Sequence, residues 1–156
     1  EKILRDGVAL GRLISALRTF ASSGPTESLM QTVEKENVEL PPRTRALATK
    51  ILKLSFDMGE SRRILEIERA KERQVVENTT RLRDNIKSLE KFPKSSLIGR
   101  YTKDLDKEED ILLNTRTTIE KLAADLVKIE RDIQVMKTDL SDEANKALDS
   151  IHPRLR

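Results

Sequence analysis

Stepping along the chain in alternate fours and threes from Leu47 meets Ile51, Leu54, Met58, Ser61, Leu65, Glu68, Glu72, Val75, Thr79, Leu82, Ile86 and Leu89. The same stepping from Ile98 meets Tyr101, Leu105, Glu108, Leu112, Thr115, Ile119, Leu122, Leu126, Ile129, Ile133, Met136 and Leu140, and eleven of these thirteen positions are apolar. Sustained spacing of this kind is the mark of a coiled-coil seam. It predicts two long helices, over 43–91 and 95–151, separated by the break Phe92-Pro93-Lys94. Beyond Leu140 the seam slips by one residue to Ala144, Leu148 and Ile151, and Pro153 stops it.

A break this short favours an antiparallel hairpin. Setting Leu89 against Ile98 pairs Ile86 with Tyr101, Leu65 with Leu122, Met58 with Ile129 and Leu47 with Leu140. The same register sets Thr79 against Glu108 and Glu72 against Thr115, so the polar positions of one seam meet polar positions of the other. At 1.5 Å per residue the stretch 47–89 makes a rod of roughly 60 Å. The polar middle then sets register, a known use of buried polar groups in coiled coils, or belongs to a docking face for a further helix; the two are compatible.

Ahead of the hairpin, Ile3, Leu10, Leu13, Ile14, Leu17 and Phe20 fall on one helical face, predicting a helix over 1–22 that stops at Ser22-Ser23-Gly24. Pro25 suits the first position of a second, short helix over 25–39, which carries Leu29, Met30 and Val33 and ends before Pro41-Pro42. The expected fold is all-α: a long antiparallel helical hairpin with two shorter N-terminal helices packed on its open end, an elongated three- or four-helix bundle forming one domain over 1–156. Leu52, Phe56, Val127 and Val135 are extra apolar positions that this packing would bury. Ile64, Ile67 and Leu113 lie off the seam in the thinner half and are the candidate partner-docking residues.

Composition narrows the chemistry. Among 156 residues, 37% are charged and 37% hydrophobic, with one Tyr, three Phe and no Trp, which suits long helices with thin seams rather than a broad core. Absence of Cys excludes disulfide frameworks, thiolate metal sites and cysteine nucleophiles, and leaves the compartment open, with the cytoplasm slightly favoured. A net charge of +3 from 30 basic and 27 acidic residues is too balanced to announce a nucleic-acid binder. No apolar run approaches the length of a membrane span. The apolar pattern begins at Ile3 beside a non-Met first residue, so the sequence reads as a piece of a longer protein. The stretch from Leu4 to Leu17, LRDGVALGRLISAL, resembles one segment of calponin-homology domains; the remainder lacks that domain's aromatic core and short-helix layout, so no family is assigned.

No catalytic, cofactor or metal site is expected. His152 is the sole histidine and has only Asp149 near it, short of the ligands a metal needs. The run Asp104 to Asp110 has Glu109 where a calcium loop requires Gly, and reads as an acidic helical face. Asn78-Thr79-Thr80 is formally a glycosylation sequon but falls mid-helix with Thr79 in the seam. The hairpin end gathers Lys87, Lys91, Lys94, Arg100 and Lys103 around Phe92 and Leu97. Either the two apolar residues close the hairpin and the charges solubilise it, or the end touches an anionic membrane or an acidic protein surface.

These features point first to a non-enzymatic coiled-coil scaffold or protein–protein interaction module of a larger protein or complex, meeting its own copy or another helical chain. Two alternatives follow: an extracytoplasmic four-helix-bundle ligand-sensing domain of a membrane receptor, and a membrane-surface-binding or membrane-shaping module using the basic tip. No small-molecule substrate is expected, and nucleic acid is disfavoured by the lack of aromatics for stacking.

Overall fold

A computed structural model describes the chain over residues 2–151, with side chains described from Gly7 onward. The described residues form four helices and no strands: α1 (Lys2–Ser22), α2 (Glu27–Lys35), α3 (Pro42–Ser88) and α4 (Ser96–Ile151). The fold is an all-α bundle in which α3 and α4 form an antiparallel helical hairpin and α1 and α2 pack against both. Its contacts divide into two units, one of residues 1–58 with 128–156 and one of residues 59–127.

The first unit holds the main core. Leu17, Phe20, Val33, Ala48, Ile51, Ile133, Leu140, Ala144 and Leu148 are buried together, and all four helices contribute. On α1 Ala16, Leu17 and Phe20 are buried and Leu13 and Ile14 half-buried, whereas Leu10, placed on that face by the sequence, is exposed. Ile3 lies outside the residues with described side chains.

Local chemistry sets the helix ends. Gly24 adopts φ +83°, and its N–H donates to the Thr19 carbonyl at 3.1 Å, ending α1. L-residues with a Cβ resist this left-handed conformation. Ser141 on α4 donates its hydroxyl to the Ala21 carbonyl at 2.8 Å, satisfying one of the acceptors that a helix end leaves unpaired. Helix α2 starts later than predicted: Thr26 is its N-cap, accepting the Leu29 N–H at 3.1 Å, and Pro25 stands outside. It also ends earlier, at Lys35 rather than 39. Asn37 takes φ +52°, Val38 N–H donates to Val33 O and Asn37 N–H to Glu34 O. That is a Schellman ending, sealed by burial of both Val33 and Val38. Helix α3 begins at Pro42, whose missing N–H is harmless in a first turn.

Phe56, Val127 and Val135 are exposed, at 68%, 56% and 56%, which corrects the expectation that they join the core. They lie off the seam, at helical positions that α1 and α2 do not cover. Leu52 alone of the four is half-buried, beside Met30 and Val33 of α2.

In the second unit every predicted seam residue, from Ser61 to Leu89 and from Ile98 to Leu126, is buried or half-buried. Helix α3 gives way after Ser88 to consecutive tight turns, Leu89 to Ile86, Glu90 to Lys87 and Phe92 to Leu89, each an N–H to the carbonyl three residues back. The helix therefore ends three residues before the predicted 91, and Pro93 keeps Phe92 from resuming it. Ser95 then caps α4, accepting the Leu97 N–H at 3.3 Å.

Candidate interaction surfaces

The register of the second unit shows in its polar bonds. Arg116 gives its Nε to Glu72 at 3.2 Å, and Asn78 donates its amide to Glu108 at 3.5 Å. Each lies one residue from the predicted pairings of Glu72 with Thr115 and Thr79 with Glu108. Arg83 bonds Glu109 at 2.7 Å a little nearer the turn. Thr79 and Thr115 are both buried, but differ in their hydroxyls. Thr79 donates to the Val76 carbonyl at 2.8 Å, while the Thr115 hydroxyl has no hydrogen-bond partner among the described residues.

These bonds also identify the two sides of the hairpin. Arg83, Glu109 and Arg116 each follow a seam residue of the same class, and in an antiparallel pair equivalent heptad positions share a side. Leu113, which follows Leu112, and Val76, which follows Val75, lie on that ion-paired side. Ile64, which precedes Leu65, lies on the opposite side with Ile67, as does Asn78, which precedes Thr79. The three candidate docking residues are all exposed, at 40%, 53% and 66% for Ile64, Ile67 and Leu113. They do not make one face: Ile64 and Ile67 are neighbours three residues apart, and Leu113 belongs to the other side with Val76. Sequence reasoning passed over Val76, although its place beside the seam marked it in the same way.

At the hairpin end Phe92 and Leu97 are exposed, at 63% and 41%, and the seam residues Leu89 and Ile98 are the half-buried pair there. Leu89, Phe92, Pro93, Lys94 and Ser95 line a shallow hollow of about 700 Å³. Lys87, Lys91, Lys94, Arg100 and Lys103 are all exposed, and none of them enters an ion pair among the described residues.

The other sequence candidates fall out as follows. His152 lies outside the described residues. No group of three or more acidic or histidine side chains among the described residues is placed to hold a metal ion. In the acidic run, Leu105 is half-buried in the seam and Glu108 is engaged with Asn78. Asn78 also accepts from the Gln74 amide at 3.2 Å, so the sequon asparagine is part of the hairpin's own bonding. In the first unit a groove of about 570 Å³ runs between Leu13, Leu40, Pro41 and Glu143, with Ala147 and Ile151 along its wall. Glu143 there is held by Arg43 at 3.0 Å. No helix among the described residues is long and apolar enough to cross a membrane. Comparison with known proteins gives no match, whether with family models, with curated proteins or with solved structures.

Proposed function

We propose that this chain is a non-enzymatic helical scaffold, a protein–protein interaction module of a larger protein or complex that presents its second unit to a further helix, in the first instance that of another copy. The observation that carries the reading is the pair Ile64 and Ile67, exposed side by side on α3 where the seam beneath them turns polar at Glu68 and Glu72. Neighbours at i and i+3 are the start of an apolar stripe that a second helix can cover. Around them the surface charges are arranged in short-range pairs, Arg63 with Glu60 and Arg69 with Glu66, which leaves the apolar pair framed by a polar rim.

Solution mass across a concentration series tests this, with circular dichroism as the control for folding. Ile64→Asp and Ile67→Asp are expected to abolish association while helix content survives. Leu113→Asp reports separately on the opposite side. A mass that stays at the 17.8 kDa of one chain at every concentration overturns self-association.

A further inference from the structure

The hairpin end carries an inference that does not depend on the scaffold reading. Residues 87–103 hold five cations, Lys87, Lys91, Lys94, Arg100 and Lys103, against the carboxylate of Glu90, with Asp84 and Asp104 at the margins of the stretch. Nearer the middle of the unit the interhelical cations are neutralised, Arg83 by Glu109 and Arg116 by Glu72. At the tip no such partner is present among the described residues, and the first turn of α4 carries no acidic residue to offset the positive end of its helix dipole. Arg100 and Lys103 lie about 6 and 10 Å along α4 from its start at 1.5 Å per residue. The five charges therefore act within about one screening length of the turn.

At the centre of this collar the turn sets out two apolar side chains. The three-residue turn bonds ending at Phe92, with Pro93 behind them, hold the backbone so that the Phe92 ring faces outward, and Leu97 follows in the first turn of α4. Leu89 and Pro93 extend the apolar ground between them.

We propose that this tip is a contact point for an anionic lipid surface, with Phe92 and Leu97 entering the interfacial region and the five cations seated at the phosphate level. A lipid surface fits better than an acidic protein because the cations are spread over both arms and the turn, with two exposed apolar side chains among them. A deformable anionic plane can meet groups so distributed, whereas a rigid partner must match the position of each. An apolar point inside a cationic ring is also the arrangement that partitions into a headgroup layer.

Each Lys or Arg held at an anionic surface strengthens binding about fivefold, so three of them supply on the order of a hundredfold. The test is sedimentation of the intact chain with vesicles of phosphatidylcholine containing phosphatidylserine, beside vesicles of phosphatidylcholine alone. Binding is expected to require phosphatidylserine and to weaken with added salt. It should fall on the order of a hundredfold in Lys91→Glu/Lys94→Glu/Arg100→Glu. In Phe92→Ser/Leu97→Ser binding should also weaken but keep its dependence on phosphatidylserine. Circular dichroism shows whether each variant is folded; should the triple variant not fold, Lys91→Gln/Lys94→Gln gives the same test with a smaller loss. Equal binding to both vesicle types, no binding at low salt, or an unchanged triple variant overturns the proposal. Capture by polyglutamate but not by vesicles, lost in the triple variant, also overturns it in favour of an acidic protein partner. Ile64→Asp leaves vesicle binding intact if the proposal holds, which separates this result from failure of the scaffold reading.

Discussion

Replacing Thr115 by Val should stabilise the second unit. The side chain is 2% exposed, and its hydroxyl is buried with no partner among the described residues. An unsatisfied buried polar group costs about 1–3 kcal/mol, and Val keeps the β-branched shape and the helix propensity while removing it. A gain of about 1–2 kcal/mol is expected. Thr79 supplies the control. It is equally buried and also in the seam, but its hydroxyl already bonds the Val76 carbonyl, so Thr79→Val should be neutral or lose up to about 1 kcal/mol. Tyr101, the only tyrosine in a chain without tryptophan, lies half-buried in the seam of this unit, and its fluorescence reports the unit's unfolding directly. With a urea slope of about 2 kcal/mol per molar, the Thr115→Val midpoint should rise by about 0.5–1 M. A midpoint that falls would refute the reasoning. It would mean that the hydroxyl has a partner in solution, with the Glu72 carboxylate across the seam the first to test by Glu72→Gln.

Other substitutions test the rest of the fold. Phe20→Ala, at the centre of the first unit's core, should cost about 3–5 kcal/mol, read from the helical circular-dichroism signal in urea. Gly24→Ala should lose about 1–2 kcal/mol in the same assay. The nearest atom to a new Cβ there, on Lys137, is 3.8 Å away, so the loss comes from φ and not from crowding. Thr26→Ala removes the cap of α2 and should cost about 1 kcal/mol. Glu109→Gln, which breaks an exposed ion pair with Arg83, should cost less than about 1 kcal/mol, and the difference should vanish at high salt.

The seam was legible because heptad spacing is a property of the chain that packing only completes. Every seam position from Leu47 to Leu89 and from Ile98 to Leu140 is buried or half-buried, polar ones included. Departures came where a short-range signal competed. Asn37 ends α2 because Asn can adopt the left-handed conformation and so brings Val38 back to Val33, joining two buried valines, a pattern weaker to the eye than Pro41-Pro42. Phe56, Val127 and Val135 were misplaced because apolar character alone does not say which side of a helix a neighbour covers. The candidate docking residues Ile64, Ile67 and Leu113 are exposed apolar positions, as their place off the seam implies, but Leu113 sits on the opposite side of the seam from the other two. Heptad position, applied off the seam as strictly as on it, separates them.

The division of the chain into units has a consequence for the order in which it is made. Residues 59–127 are one uninterrupted segment, whereas the other unit is assembled from stretches on either side of it. Phe20 and Ile51 leave the ribosome long before Ile133, Leu140 and Leu148, with which they share a core. Closing the intervening 69 residues as a free loop would cost about 4 kcal/mol in chain entropy. A hairpin joined by a short turn forms from nearby contacts and is fast to close. Once zipped, it brings residues 58 and 128 together and removes most of that cost. During synthesis the inserted segment thus acts as the clasp for the unit that surrounds it, and α1 and α2 wait, partly uncovered, for the last third of α4 to arrive.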